Sequence, residues 1–440
     1  MLDKIFKRTR KVETEEEIPI ISFGRYSDNN KSVQKVEKWN EADSLFKEKQ
    51  FLESIRAFFE YLKDDQLENV VHEVTDSGGK YFFYQGSKII SGYYDGEMMK
   101  AEVVLAIMEL PNVPVMRRLL EMNFNLYYSR FSLHDGKLLM KFDSDIKTAN
   151  PSKLYYGLKE LATKADKQDD LLIQEFTSLL PTGIDHVQPI PDEEKEIKYR
   201  YLQLWIKDAL DLVEAVDADK FSGGIAYVLL ALAFRIDYLI SPHGKLLSEI
   251  EKIVETYFRK DERTVTEKNS EMVDCFLKLS AKPKEEVFPY LFRSSYTFTI
   301  VNPQSHKLIA DAIYNANQNI SWYKENKQLK IAARISEYGV SYCQYSYSLP
   351  RPLTEFYHLF MMVNYPGFFK ELGFSKEYFN TETNTFNQQT ILDKIQSIEQ
   401  AWKEKYHALS FKADKLKFDS LVAFNQSFTS EIEYLNLETR

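Results

Sequence analysis

Cysteine is scarce in this chain. Only Cys275 and Cys343 occur in 440 residues, which excludes a disulfide framework and points to a reducing compartment. Positive charge is not in excess either. The 57 Lys and Arg residues face 66 Asp and Glu, for a formal net charge of −9. A general nucleic-acid binder needs a basic face to neutralise phosphates, so no nucleic-acid partner is expected. Long apolar runs are missing too. The longest tidy one, Ile225 to Phe234, is too short to span a bilayer and reads as a buried helix, so no transmembrane segment is expected. Residues Met1 to Arg10 are basic, but Glu13 to Glu17 follow where a secretory signal would place its apolar region. They read as a frayed tail, with a tether through Leu2, Ile5 and Phe6 as the alternative. A cytoplasmic protein is the expectation.

What is present is a chain rich enough in apolar and aromatic residues, 44% and 14%, to build a sizeable core. Two Asp-Gly pairs, Asp95-Gly96 and Asp135-Gly136, each lie between strand-like runs. Asp-Gly in that setting predicts a two-residue type I′ hairpin, because both central residues need positive φ. Tyr81 to Tyr84, Lys88 to Tyr94 and Glu97 to Met108 read as three strands. Pro111 and Pro114 flank the start of a helix that runs to about Glu121. Asn125 to Leu133 and Lys137 to Asp143 form the second hairpin. A helix from Ser152 to about Leu179 is capped by Asn150 or Ser152, with Pro151 tolerated in its first turn. Before the strands, Trp39 to Leu62 is helical. It is either one long amphipathic helix or a hairpin broken at Lys47-Glu48-Lys49-Gln50. In the second form Ala42, Leu45, Phe51, Ser54, Ile55 and Phe58 resemble a single tetratricopeptide unit.

Alternation assigns faces to the hairpins. Two-residue loops pair Leu133 with Leu138 and Phe131 with Met140, and place Gly92 opposite Met99 and Ile90 opposite Ala101, on a face destined for the helices. The other face carries Tyr93, Met98, Tyr128, Arg130, Leu139 and Lys141. Aromatic, Met and Arg residues are enriched at protein interfaces, so these six are the candidate partner surface. An ordinary amphipathic sheet surface is the competing reading.

Residues 181–193, with three prolines and a glycine from Pro181 to Asp192, read as a linker. Beyond them the pattern is helical to the end. The expected architecture is therefore an irregular tail (1–37), an α+β domain with a small antiparallel sheet and helices on one face (38–180), the linker, and an all-α domain (194–440) with 283–303 as its candidate division. The stretch 293–301 (RSSYTFTIV) alternates like a strand, but no partner run is evident.

The search for chemistry gives little. No two of the seven histidines stand at i, i+3 or i, i+4, so no helical metal pair exists. There is no phosphate loop and no nucleophile elbow. Ser44/Lys47 and Ser27-Asp28-Asn29 match fragments of a β-lactamase pattern whose third element is missing. Asp64-Asp65 and Asp169-Asp170 read as solvated faces or caps. Cys343 has no neighbouring base. No catalytic residue, metal or cofactor is expected, and an enzymatic role is disfavoured.

The order helix, three strands, helix, hairpin, helix over residues 38–180 resembles the YbjN family and the related class I type III secretion chaperone fold. The likeness rests on Asn123 to Asp143 (NFNLYYSRFSLHDGKLLMKFD), then Leu154 to Phe176 with Lys164-Ala165-Asp166. The resemblance implies a bacterial, non-enzymatic module that binds segments of client proteins and often dimerises. It covers about a third of the chain, and the helical region has no counterpart in those small proteins. Two other functions stay open: a ligand or enzyme pocket near Trp322, Tyr342 and Tyr345, and a structural subunit with a large flat apolar face.

Overall fold

The computed structural model describes residues 19, 21–65, 67–183 and 187–439. Residues 1–10 of the proposed tether, and 184–186 of the proposed linker, lie outside the described residues.

Helices α1 (Val33–Lys47) and α2 (Phe51–Leu62) form a hairpin rather than one rod. The Ser32 side chain caps α1 by accepting from the Lys35 N–H. Lys49, at φ 65°, turns the chain between the helices, and Ser54 Oγ donates to Ala42 O at 2.7 Å. Then come β1 (Val70–Thr75), β2 (Gly78–Gln85), β3 (Lys88–Tyr94) and β4 (Met98–Ile107). Helix α3 (Val113–Asn123), β5 (Arg130–His134), β6 (Lys137–Asp145) and α4 (Pro151–Glu175) complete the unit. The antiparallel sheet runs β1-β2-β3-β4-β6-β5. Strand β1 was not anticipated. Only Val70 in it is buried, so it lacks the alternation that marks a half-buried strand.

The two Asp-Gly turns behave differently. Asp135 and Gly136 have φ of 48° and 70°, and the register is the expected one, Leu133 opposite Leu138 and Phe131 opposite Met140. At Asp95-Gly96 the expectation fails. Neither residue has positive φ, and Tyr94 pairs with Met99, so Gly92 faces Ala101 instead of Met99. The Asp95 carboxylate accepts from the N–H groups of Glu97 and Met98, both at 2.8 Å. Those bonds hold its pKa below the usual range and build a longer turn. A slip of two residues keeps every side chain on its face, so Ile90, Met99, Ala101, Val103 and Leu105 are all buried as expected.

Helix α4, capped by Asn150 accepting from the Lys153 N–H at 2.9 Å, lays Leu154, Leu158, Leu161, Ala162 and Ala165 on that face. Gly157 permits the close approach, since a Cβ there would lie 2.5 Å from the Phe142 ring. The remainder of the chain is helical around a second core. Its first members are α5 (Asp192–Glu214), α6 (Ser222–Arg235), α7 (Gly244–Phe258) and α8 (Val265–Ser280). Ser222–Ile240, α6 with its π-helical end, is long and apolar enough to cross a membrane, but 89% of that window is buried inside the protein. Within this core Glu337 has no exposed surface. It accepts from Arg235 Nε at 2.7 Å, Arg334 Nη1 at 2.6 Å and Tyr365 OH at 2.6 Å.

The two cores exchange segments. Residues 21–27, read from sequence as irregular tail, pack into the helical half. Gly24 N donates to Tyr238 O at 2.8 Å. Arg25 pairs with Asp237 at 2.9 Å and Glu251 at 3.2 Å, and lies over the Tyr345 ring. In return, Phe298 enters the sheet core. The linker is pinned at both ends, by β7 (Leu180–Pro181) against β4 and by β8 (Gln188–Pro189) against β9 (Phe292–Arg293). Asp169, expected in solvent, is buried, with Oδ2 2.7 Å from Lys88 Nζ. It lies where α4 reaches the helical half.

Candidate protein-binding surface

Cross-strand pairing lays out the outer face of the sheet. One row runs Lys80, Tyr93, Lys100, Asp143 and the next Phe82, Ser91, Glu102, Lys141, Arg130. Tyr93 is 42% exposed, with Lys100 Nζ 5.7 Å from its ring centre. Arg130 is exposed and paired with Asp143, and Lys141 is 3.3 Å from Glu102. Met98 is half-buried and Tyr128 is 41% exposed. Leu139 is a correction: only 4% of it is exposed, so it offers a partner almost nothing. Arg130 and Lys141 are direct cross-strand neighbours. The charges of this face largely satisfy one another, and exposed pairs of that kind contribute little.

The larger apolar offering lies beside it, on α3 and the loop to β5. Asn112 caps α3 by accepting from the Val115 N–H, and Pro114 sits in the first turn. Val115 and Leu119 point into the sheet core. On the opposite side Val113, Leu120 and Phe124 are 64%, 67% and 90% exposed. Their spacing of seven and four residues keeps them on one helical face. Tyr127, three residues on, is 91% exposed.

The loop that presents these rings is braced. Glu160 on α4 accepts from the N–H groups of Tyr127, Tyr128 and Ser129 at 2.8, 2.9 and 2.8 Å, and from Ser129 Oγ at 2.7 Å. Partial burial opposes ionisation of Glu160, but those bonds outweigh it and hold its pKa below the usual carboxylate range. Asn123 Oδ1 accepts from Phe131 N at 2.7 Å. Sequence reading missed this stripe. The signal was a short helix apolar on two sides, one more than packing against a sheet requires.

Elsewhere the chemistry is muted. Among the described residues no three His, Cys, Asp or Glu side chains are placed to hold a metal. Burial raises the Cys343 thiol pKa and lowers His72, His243 and His358 to about 4. His243 Nε2 lies 2.9 Å from Phe292 O and Nδ1 lies 3.1 Å from Tyr296 OH. The carbonyl can only accept, so the proton is on Nε2 and the tyrosine donates to Nδ1. Of the three residues proposed for a helical-half pocket, Tyr342 and Tyr345 share the Phe234 ring, and Trp322 packs elsewhere. Trp322 packs on Phe221 and Tyr323, Tyr345 on Phe234 and Arg25, and Tyr342 on Tyr338, Phe258 and Tyr347. Neither known protein-family models nor curated proteins match this chain.

Proposed function

We propose that the sheet half is a non-enzymatic protein-binding module, chaperone- or adaptor-like, that holds a segment of a client protein through the α3 stripe. The observation that carries this reading is the pair Phe124 and Tyr127, about nine-tenths exposed on a loop that Glu160 holds still. Two such rings offer roughly 300–400 Å² of contact area. Val113 and Leu120 extend the same face, across the exposed Arg117, towards the size of the largest apolar patches of ordinary monomers, roughly 300–600 Å². Rigid aromatic anchors are what protein interfaces use most. The resemblance to YbjN and class I secretion chaperones, which rests on the element order of residues 38–180, supports the same reading by analogy. A second copy of the chain is one partner the stripe could take.

The test is capture from the native lysate at moderate salt with the full-length tagged chain, beside Phe124→Ser/Tyr127→Ser. A partner recovered in fixed ratio by the parent and depleted at least about tenfold by the variant supports the reading. A partner that both chains recover equally removes the stripe from it. Sedimentation of the two proteins separates a dimer contact from a client contact.

A further inference from the structure

Residues Ser295–Thr299 leave the helical half and lie across the end of the sheet. Phe298 is fully buried, and among the described residues it is the only member of the sheet core from beyond residue 179. Its ring packs against Phe83 and Tyr155, with centroids 5.6 and 5.4 Å apart. Gln85, itself fully buried, reads the Phe298 backbone from both sides. Its Nε2 donates to Phe298 O at 3.1 Å, and its Oε1 accepts from Phe298 N at 3.0 Å. Gly86 N donates to Ser295 O at 3.1 Å. Thr297 Oγ1 donates to Tyr84 O at 3.0 Å and accepts from Asn69 Nδ2 at 3.3 Å. Thr299 N donates to Asp28 Oδ2 at 3.4 Å.

Hydrogen bonds that grip the main chain of a segment, joined to one pocket that selects a side chain, are the anatomy of a peptide-recognition site. We propose that the sheet half carries a recognition site for a Thr-aromatic-Thr segment that bends at its first Thr and its aromatic residue, and that residues 295–299 of the same chain fill it. Held in cis, the segment sits at an effective concentration of order millimolar or above. A segment of the same chemistry in another protein therefore binds only when the internal one is weakened or displaced. The site uses none of the α3 stripe residues, so either reading can fail alone.

The test uses the full-length chain and a fluorescein-labelled peptide of residues 293–301, RSSYTFTIV. Phe298→Ala should bind this peptide at least about tenfold more tightly than the parent does, because the internal competitor has lost its anchor. The peptide with Ala in place of its Phe should bind neither protein. Phe124→Ser/Tyr127→Ser should behave as the parent. A folded Phe298→Ala chain that ignores the peptide, or takes both peptides alike, overturns the proposal. If that variant does not fold, Phe298→Leu replaces it under the same criteria. Amide exchange of the parent then gives a second reading. Faster exchange at Phe298 than at Val103 and Met140 in the ladder supports a segment that leaves as a unit, and equal protection overturns it.

Discussion

The helical core encloses a charge at its centre, Glu337 between Arg235 and Arg334, besides the pairs Arg25–Asp237 and Lys198–Glu194 nearer its surface. In the sheet core the buried charge sits at the rim, where Lys88 meets Asp169 at 2.7 Å beside the helical half. The difference follows from how each core satisfies its backbone. A sheet interior is crossed by ladders that pair neighbouring strands, so its side chains can be uniformly apolar and polar ones are needed only where the ladder stops. Helices satisfy their own backbones and leave their crossings unspecified. A fully bonded polar network at one crossing, here joining α6 to the helix Leu329–Ser346 and to Tyr365 just after the helix Arg351–Asn364, restricts which packing is acceptable.

Three substitutions break this comparison at successively weaker points. Glu337→Ala leaves the buried Arg235 and the half-buried Arg334 without their carboxylate. It should cost the helical core about 3–5 kcal/mol, read as a loss in urea-denaturation midpoint with the sheet half following, since the cores exchange segments. Lys88→Met strands Asp169 at the rim, where Ser87 Oγ still donates to it at 2.9 Å. The expected loss is smaller, roughly 2 kcal/mol, by the same measurement. Equal losses at the two places would erase the contrast between centre and rim.

The third concerns protons at that rim. Burial, with Asp169 nearby, pushes the Asp166 carboxyl up to about 7 and the Asp170 carboxyl up to about 6. Both exceed the unfolded value, so the folded chain holds protons there that the unfolded chain has released. Their contribution to stability is complete below about pH 4 and is lost as pH rises through 6 and 7. The buried histidines act in the opposite sense between about pH 4 and 6.5, because the unfolded chain binds protons that they refuse. Burial lowers Lys31 to about 8, so it begins to act in that same opposite sense above about pH 7.5, and the clean window is pH 6.5 to 7.5. There the parent should lose roughly 1 kcal/mol while Asp166→Asn stays level. A parallel decline in both proteins would place the titrating group elsewhere.

Much of the sheet half was legible because its signals are local. The turn at Asp135-Gly136 sets its own register through positive φ, and the cap at Asn150 announces α4. Asp95-Gly96 shows where local reading ends. The same dipeptide took another turn because its carboxylate found two backbone N–H groups. The surface was half legible. Tyr93, Tyr128 and Arg130 are exposed as alternation required, whereas burial of Leu139 and exposure of Phe124 depend on what packs nearby.

Composition, period and turn chemistry by themselves determined that an α+β sheet unit precedes a helical one, and which strand faces are apolar, because those properties act over a few residues. Only the tertiary structure decided that Phe298 fills the sheet core from more than a hundred residues beyond its other members, that residues 21–27 pack into the helical half, and that Asp169 is buried rather than solvated. Each of these depends on a surface assembled from distant segments. An alternating stretch such as 293–301 carries no mark in its own residues of the place where it docks.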